Sequence, residues 1–510
     1  MKKKQKNKLF KNIKKEYLIL AIIFLITFSF NIYFSFQVDE FTGGDSYTNL
    51  RKINFINENF KPMFTDDLSY GGRNYIDLPL FHYLVALFSL FMPLYLSAKI
   101  VPALLISSLC VIVYFISKYI TKKSNVSFIS SFMAAFIPSV IFLTLNKVSI
   151  YSLFIPLFFL TFYMFMKIND KKENVIYFVV AFILLMITHP MSFLLIFCLL
   201  IYLFIKYIEG SKIKIIEIEV ITFVSFFILW GYFIIYKDLL LSLGPSAIWQ
   251  AIPSYIRSQF FSNFDILTAI VRIGVLPFLF GLYMIYYFFF NYKKNYLYVS
   301  LPLSVLLLLW LQLIHFEAGL SILAISLVIL FPHFFNLFLQ YFEKTKFTKY
   351  ENYVLLLIVL VFVFTSVIPS INYANQNIAN SFNEDEINAM EWIKNNTNEN
   401  VVILSSEIEG NLIAFKANRK NVIDLDFLNI ENPERILREV KLIYTTLFET
   451  EAISLLEKYN VNYIYLSPRI KEYYNINDLR YKNSNCFDVV YSNEIEIIRS
   501  KCRMEVVSSG

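Results

Sequence analysis

Twenty consecutive residues from Tyr17 to Phe36 carry no charge, and runs of the same kind recur through most of the chain. At about 1.5 Å of rise per residue, one such run crosses the roughly 30 Å hydrocarbon layer of a bilayer as a helix. Inside that layer the backbone must satisfy its own hydrogen bonds, so helical spans are the form these runs take. With 57% hydrophobic and 18% aromatic residues among 510, the composition lies far outside that of soluble domains, and the chain reads as a polytopic α-helical membrane protein. The first run is longer than a signal-peptide core and no Ala-x-Ala-like site follows it, so it reads as an uncleaved anchor.

The net charge of +7 is local, because eight lysines fall within the first fifteen residues. They form a cytoplasmic flank held by anionic lipid and give no sign of a nucleic-acid arm. Further apolar runs lie near 98–120, 125–145, 150–167, 175–190, 191–207, 218–236, 268–290, 296–314, 320–340 and 353–371. Links at Lys122-Lys123, Lys171-Lys172, Lys206 with Lys212 and Lys214, Lys293-Lys294, and Lys344 with Lys346 and Lys349 are basic. If these are cytoplasmic, the links around Asn146, His189-Pro190, 238–265 and 315–319 face outside, and so does everything after Asn372. The apolar segment Leu80 to Leu96 would invert this order if it crossed, and reads as a re-entrant or interfacial helix; the rival is a true span balanced by another missed or split run. About 11 to 13 spans result.

From 377 the pattern changes. Asn383 with Glu386 forms a capping box opening a helix through Lys394. β-branched runs at Val401 to Leu404, Val422 to Leu425 and Val461 to Leu466 alternate with helical stretches at Glu434 to Tyr444 and Glu451 to Tyr459, the order of an α/β domain. Phe487 to Tyr491 and Glu494 to Arg499 read as a closing hairpin, flanked by Cys486 and Cys502, which can pair in an oxidising compartment. Cys110 and Cys198 lie in apolar runs and read as packing residues. The expected domains are a basic N-terminus, 1–16; a membrane domain, 17–376, with an external loop, 37–79; and an extracytoplasmic α/β domain, 377–510.

That loop carries Gly43-Gly44-Asp45-Ser46-Tyr47, with Arg51-Lys52 close behind. Glycines let the backbone approach a ligand, a carboxylate beside them can deprotonate a hydroxyl or hold a hard divalent cation, and an arginine can neutralise a phosphate. The plainer alternative is that Asp45 solvates the loop and begins a helix. Asp66, Asp67 and Asp77 have no distinguishing spacing and read as solvated. Arg272 and Lys147, near the same external side, need partners or a bound anion, or snorkel to the interface. No Walker loop, His/Cys cluster or Ser-His-Asp order is apparent.

A first span, then an external acid in Asp45-Ser46-Tyr47 with Arg51, then Pro79-Leu80-Phe81-His82-Tyr83, resembles the opening of GT-C membrane glycosyltransferases, and of the oligosaccharyltransferase catalytic subunit in particular. His315-Phe316 leading into Leu320 to Leu330 resembles the stretch where that family's arginine-phenylalanine pair enters a late span. Trp392-Ile393-Lys394, Val402 to Ser405, Gly410 and Ala417-Asn418-Arg419 are similar to the start of its external domain. Two positions depart. The acceptor-gripping Trp-Trp-Asp-Tyr-Gly stretch reads Ser405-Ser406-Glu407-Ile408-Glu409-Gly410 here, and Asn146-Lys147 stands where the family has a metal-binding acid.

The resemblance implies an inverting transfer of a sugar from a polyprenyl-phosphate-linked donor to a lipid, glycan or surface-polymer acceptor outside the cell membrane, in place of protein N-glycosylation. Asp45 is the expected catalytic base or metal ligand. Tyr47, Arg51, Arg272 and His315 are the expected substrate contacts, with Glu317 or Asp265 as auxiliary acids and Asp45 with Glu317 as ligands should a divalent Mg or Mn ion take part. The partners are then the bilayer and the lipid-linked donor, with no nucleic acid, and oligomeric state is left open. A lipid or polysaccharide transporter or flippase, and a non-catalytic scaffold subunit of the same architecture, are the rival readings.

Overall fold

A computed structural model describes residues 2–244, 252–253, 256, 266–290, 295–346, 350–428, 430–482 and 485–503. They form two compact units. The first comprises Met1–Val38, Leu78–Ile235 and Asn263–Ala379, the second Asp39–Asp77, Tyr236–Ser262 and Asn380–Gly510. The loop grouped by sequence with the membrane helices thus belongs to the same unit as the C-terminal domain.

The first unit is helical, and among the described residues of the chain six helices are long and apolar enough to cross a membrane. Two bent pairs, Ser124–Ala135 with Pro138–Thr144 and Ile266–Ile273 with Val275–Phe290, satisfy the same test jointly. Tyr151–Met166, Glu173–Met186 and Tyr296–Trp310 are apolar but shorter, and only with them and both bent pairs does the number reach the lower end of the expected range. Leu80–Ser89 is a ten-residue helix, at about 1.5 Å per residue half a crossing, with Phe81, His82, Val85 and Ala86 buried and Leu87 exposed. It does not span. Phe154, Phe158, Phe178, Phe182 and Leu199 are among the residues packed at the centre of the bundle. Phe223, Phe226, Leu229, Trp230 and Phe233 project outward from Ile215–Leu243, an apolar face suited to hydrocarbon.

Two carboxylates near helix ends of this bundle are paired. Glu16 accepts from Lys118 at 2.5 Å and from Ser124 at 2.7 Å, and Glu217 accepts from Lys206 at 2.9 Å and from Asn169 at 2.8 Å. These pairs tie together the helix ends where the basic links lie.

In the second unit the strands are β1 (Thr65–Asp66), β2 (Arg73–Asn74), β3 (Val402–Leu404), β4 (Lys420–Asn421), β5 (Val461–Leu466), β6 (Phe487–Ser492) and β7 (Glu496–Ser500). β1 and β2 form an antiparallel pair, and the other five a sheet in the order β4-β3-β5-β7-β6. β3 runs parallel to β4 and β5, while β7 is antiparallel to β5 and β6. The Asn383–Glu386 capping box is formed, and Cys486 and Cys502 are joined as a disulfide across the base of the β6–β7 hairpin. Cys110 and Cys198 are free and buried. The strand expected at Val422 to Leu425 sits at Lys420–Asn421 instead. The Val422 amide still reaches Ile403 O at 3.3 Å, and the chain then leaves the sheet to present Asp424 to Arg73.

Candidate functional site

Each unit holds part of the expected machinery: Asp45, Tyr47 and Arg51 lie in the second, Arg272, His315 and Glu317 in the first.

In the second unit, helix Gly44–Asn59 begins at Gly43, whose φ of 80° suits glycine. Gly44 packs so closely on the 405–410 turn that a Cβ there would lie 2.4 Å from Ile408 O. Asp45 follows, exposed on the first helical turn, where the positive end of the helix dipole favours a carboxylate. The residues after it are sealed: Ser46 donates to Thr42 O at 2.8 Å, and Thr48, Asn49 and Leu50 are buried. Tyr47, expected to touch substrate, is fully buried. Its hydroxyl donates to Glu40 at 2.8 Å and its ring packs against Phe41, Phe382 and Phe415, so it anchors the loop.

Arg51 differs from expectation in the same way. Its guanidinium forms an ion pair with Asp66 and is only 11% exposed, so its charge is already answered. Asp66 also accepts from Arg73 Nε at 3.1 Å, from the Tyr75 hydroxyl at 3.0 Å and from the Leu68 amide at 3.0 Å. Burial alone would raise the Asp66 carboxyl, but Arg51, Arg73 and the Leu68 amide outweigh it and hold it below the usual range. Arg73 continues the chain to Asp424. For Asp424, burial prevails over Arg73 and its carboxyl is raised. Asp77 pairs with Lys52 at 3.4 Å. Asp66 and Asp77 are therefore not the solvated acids their spacing suggested, because the cations that bury them lie elsewhere in the sequence.

The Ser405–Gly410 stretch is buried. Glu409 accepts from Ser406 at 2.8 Å and from Ser467, and Glu407 accepts from Tyr473. Burial pushes Glu409 up to about 7. Sequence reasoning missed Arg73, Asp424 and both glutamates as structural charges. The Gly71-Gly72 pair before Arg73, at φ of 77° and 113°, was the available signal of a tight turn aiming a charge inward.

In the first unit, helices Ile266–Ile273 and Val275–Phe290 meet at 94°, with Gly274 between them at φ 96°. Arg272 occupies the last turn before this break, where a cation complements the helix C-terminus. Its guanidinium forms an ion pair with Glu317 and donates from Nε to the Tyr373 hydroxyl at 3.3 Å. It lies 4.7 Å from the Phe142 ring centroid and 5.5 Å from that of Tyr373. Lys147 Nζ sits 4.7 Å from the same Phe142 ring and donates to Phe142 O at 2.9 Å. The Asn377 amide closes the C-terminus of Pro138–Thr144 by donating to Phe142 O at 3.1 Å and Leu145 O at 3.0 Å. His315 precedes helix Phe316–Phe342, its ring 6.2 Å from that of Tyr151, which also lies 4.9 Å from His189. Arg272 and Lys147 thus share the Phe142 ring, a cationic, aromatic setting suited to an anion, while His315, Tyr151 and His189 gather ring to ring among themselves.

A resident divalent ion fits these residues poorly. Among the described residues no three His, Cys, Asp or Glu side chains converge, and Glu317, one of the two expected ligands, is already matched by Arg272. Asp265, named with Glu317 as an auxiliary acid, lies outside the described residues.

No protein-family model matches the chain, and no curated protein matches it by sequence. Solved structures do. The apo oligosaccharyltransferase of Archaeoglobus fulgidus superposes with a TM-score of 0.71 at 15% identity over 90% of this chain and 70% of that one. The oligosaccharyltransferase AglB of the same organism, in complex with an inhibitory peptide and a dolichol-phosphate, gives 0.68 at 16% identity over 90% and 70%. ArnT from Cupriavidus metallidurans bound to undecaprenyl phosphate gives 0.57 at 8% identity over 95% and 98%. These are GT-C glycosyltransferases, and the likeness is one of fold.

Proposed function

We propose that this chain, which has the GT-C fold, is a membrane glycosyltransferase that moves a sugar from a polyprenyl-phosphate-linked donor to a lipid, glycan or surface-polymer hydroxyl outside the cell membrane, the N-terminus being cytoplasmic. The observation that carries this is Asp45: in a first turn whose neighbours are sealed by packing and hydrogen bonds, it is the side chain held outward. A carboxylate so fixed is preorganised to accept a proton. The fold likeness to proteins solved with dolichol-phosphate and undecaprenyl phosphate supports a lipid phosphate as the donor's leaving group.

In the single displacement this implies, the acceptor hydroxyl loses its proton to Asp45 as its oxygen bonds to the anomeric carbon. The bond from that carbon to the phosphate oxygen breaks and its electron pair leaves with the lipid phosphate, a developing charge of the kind the Arg272 guanidinium is suited to offset. The configuration at the anomeric carbon inverts. Arg51 and Tyr47 act by fixing the helix that carries Asp45, and we assign His315, with Arg272, to the donor. No step is routed through a metal.

Transfer of radiolabelled sugar from a polyprenyl-linked donor tests this directly. Asp45→Asn is expected to lower the rate by about 10²-fold or more, the range for a lost general base. Unchanged turnover removes the mechanism. Donor binding without turnover in the unaltered protein would favour the scaffold reading.

A further inference from the structure

The Arg272–Glu317 pair differs from the buried Arg73–Asp66 and Arg73–Asp424 contacts in a way that bears on donor binding. Asp66 and Asp424 use both oxygens, and their shared partner Arg73 is wholly buried. Glu317 uses one. Its Oε1 meets Arg272, while Oε2 is buried with no hydrogen-bond partner among the described residues, an arrangement that costs about 1–3 kcal/mol. The pair also lies nearer the surface, with side chains 19% and 15% exposed against 0% for Arg73 and Asp424.

Rings also restrict how an anion can reach Arg272. Phe142 and Tyr373 lie against the guanidinium, so a ligand must approach along its edge, and Glu317 sits on that edge. We propose that Glu317 is a place-holder anion: its carboxylate occupies the edge of Arg272 that the donor's phosphate takes over on binding. The proposal rests on the reading of Arg272 as a phosphate site and adds both a role for Glu317 and a charge preference.

A phosphate group has oxygens enough to meet two guanidinium N–H groups at once, which the half-used carboxylate does not do. Once displaced, Glu317 remains in the first turn of helix Phe316–Phe342, where the helix dipole still favours its charge. The exchange therefore leaves no carboxylate stranded. Arg272 attracts a dianion more strongly than a monoanion, so the vacated site favours headgroups with more than one negative charge, such as a phosphomonoester or diphosphate, over a singly charged phosphodiester.

The test is binding of farnesyl phosphate and of its methyl diester to the detergent-purified full chain, with Arg272→Gln, Glu317→Gln and Glu317→Asp. Arg272→Gln is expected to weaken farnesyl phosphate about tenfold or more, and Glu317→Gln to tighten it about tenfold, equivalent to 1.4 kcal/mol. If Arg272→Gln leaves affinity unchanged, the phosphate reading itself fails. If Arg272→Gln weakens binding but Glu317→Gln is neutral or weakening, the exchange is overturned and Glu317 is a structural partner. Should Glu317→Gln not fold, Glu317→Asp, which keeps the charge but withdraws it by one methylene, is expected to tighten binding by a smaller factor; equal or weaker binding overturns the exchange.

Discussion

Arg73 sets its two amino groups on the two oxygens of Asp424 at 2.9 and 2.5 Å, fastening the 39–77 loop to a segment 351 residues away in the sequence. Both side chains are fully buried, and with Arg51 and Asp66 they form a balanced run of four charges behind the helix that presents Asp45. Removing one member strands a buried charge. Arg73→Ala or Asp424→Ala is expected to cost about 3–5 kcal/mol. Replacing both with Met and Leu should cost less than either single change, because no charge is then left unanswered. Hydrogen exchange of residues 44–59 in the purified protein reads this directly, and additive losses would count against a buried pair.

Gly44→Ala tests how tightly the Asp45 turn is held. A Cβ there would lie 2.4 Å from Ile408 O, a backbone atom that cannot swing aside. Overpacking of this kind costs about 1–3 kcal/mol. Since a displacement of about 1 Å at a reacting group can cost 10²-fold, sugar transfer should fall by at least about tenfold while donor binding is unchanged. Wild-type rates in this variant would mean that the turn's position does not matter to the chemistry.

Much of the second unit was legible because its signals are local. The Asn383–Glu386 cap, β5 at Val461–Leu466 and the β6–β7 hairpin all rest on residues a few positions apart. Arg73–Asp424 and Arg51–Asp66 could not be read in this way, since a charge's partner across the fold leaves no mark on its own neighbourhood. Asp66 and Asp77 accordingly looked solvated, and Tyr47 looked available. Among the helices, apolar runs were legible but breaks were not: 268–290 read as one span, yet Gly274 bends it by 94° and so places Arg272 at a helix end. The pairing of Arg272 with Glu317 was likewise hidden, although both residues were singled out by their charge at apolar boundaries.

The Cys486–Cys502 disulfide predicts a thiol count. Under denaturing, non-reducing conditions a maleimide should label two cysteines, Cys110 and Cys198, and after reduction all four. Closing a loop with a sequence separation of 16 is worth about 3 kcal/mol, so Cys502→Ser should destabilise the hairpin by that order. Four reactive thiols before reduction in protein purified from its native membrane would argue against an oxidising location for this domain.

Glu409 gives the second unit a pH dependence whose sign follows from its burial. Removal from water raises its carboxyl from an ordinary value of 4.5 to about 7, even though Ser467 and Ser406 donate to it. Between these values the folded protein holds the proton more tightly than the unfolded chain. Its contribution to stability is therefore full below about 4.5, erodes as pH rises, and is gone above about 7. The swing is on the order of 3 kcal/mol at most. Glu407, also raised by burial, acts in the same direction. Glu409→Gln keeps a neutral side chain between the two serines at every pH, so it should raise the thermal unfolding temperature near pH 8, leave it unchanged near pH 4.5, and flatten the slope between; parallel pH profiles for the two proteins would mean that Glu409 is already ionised in the fold.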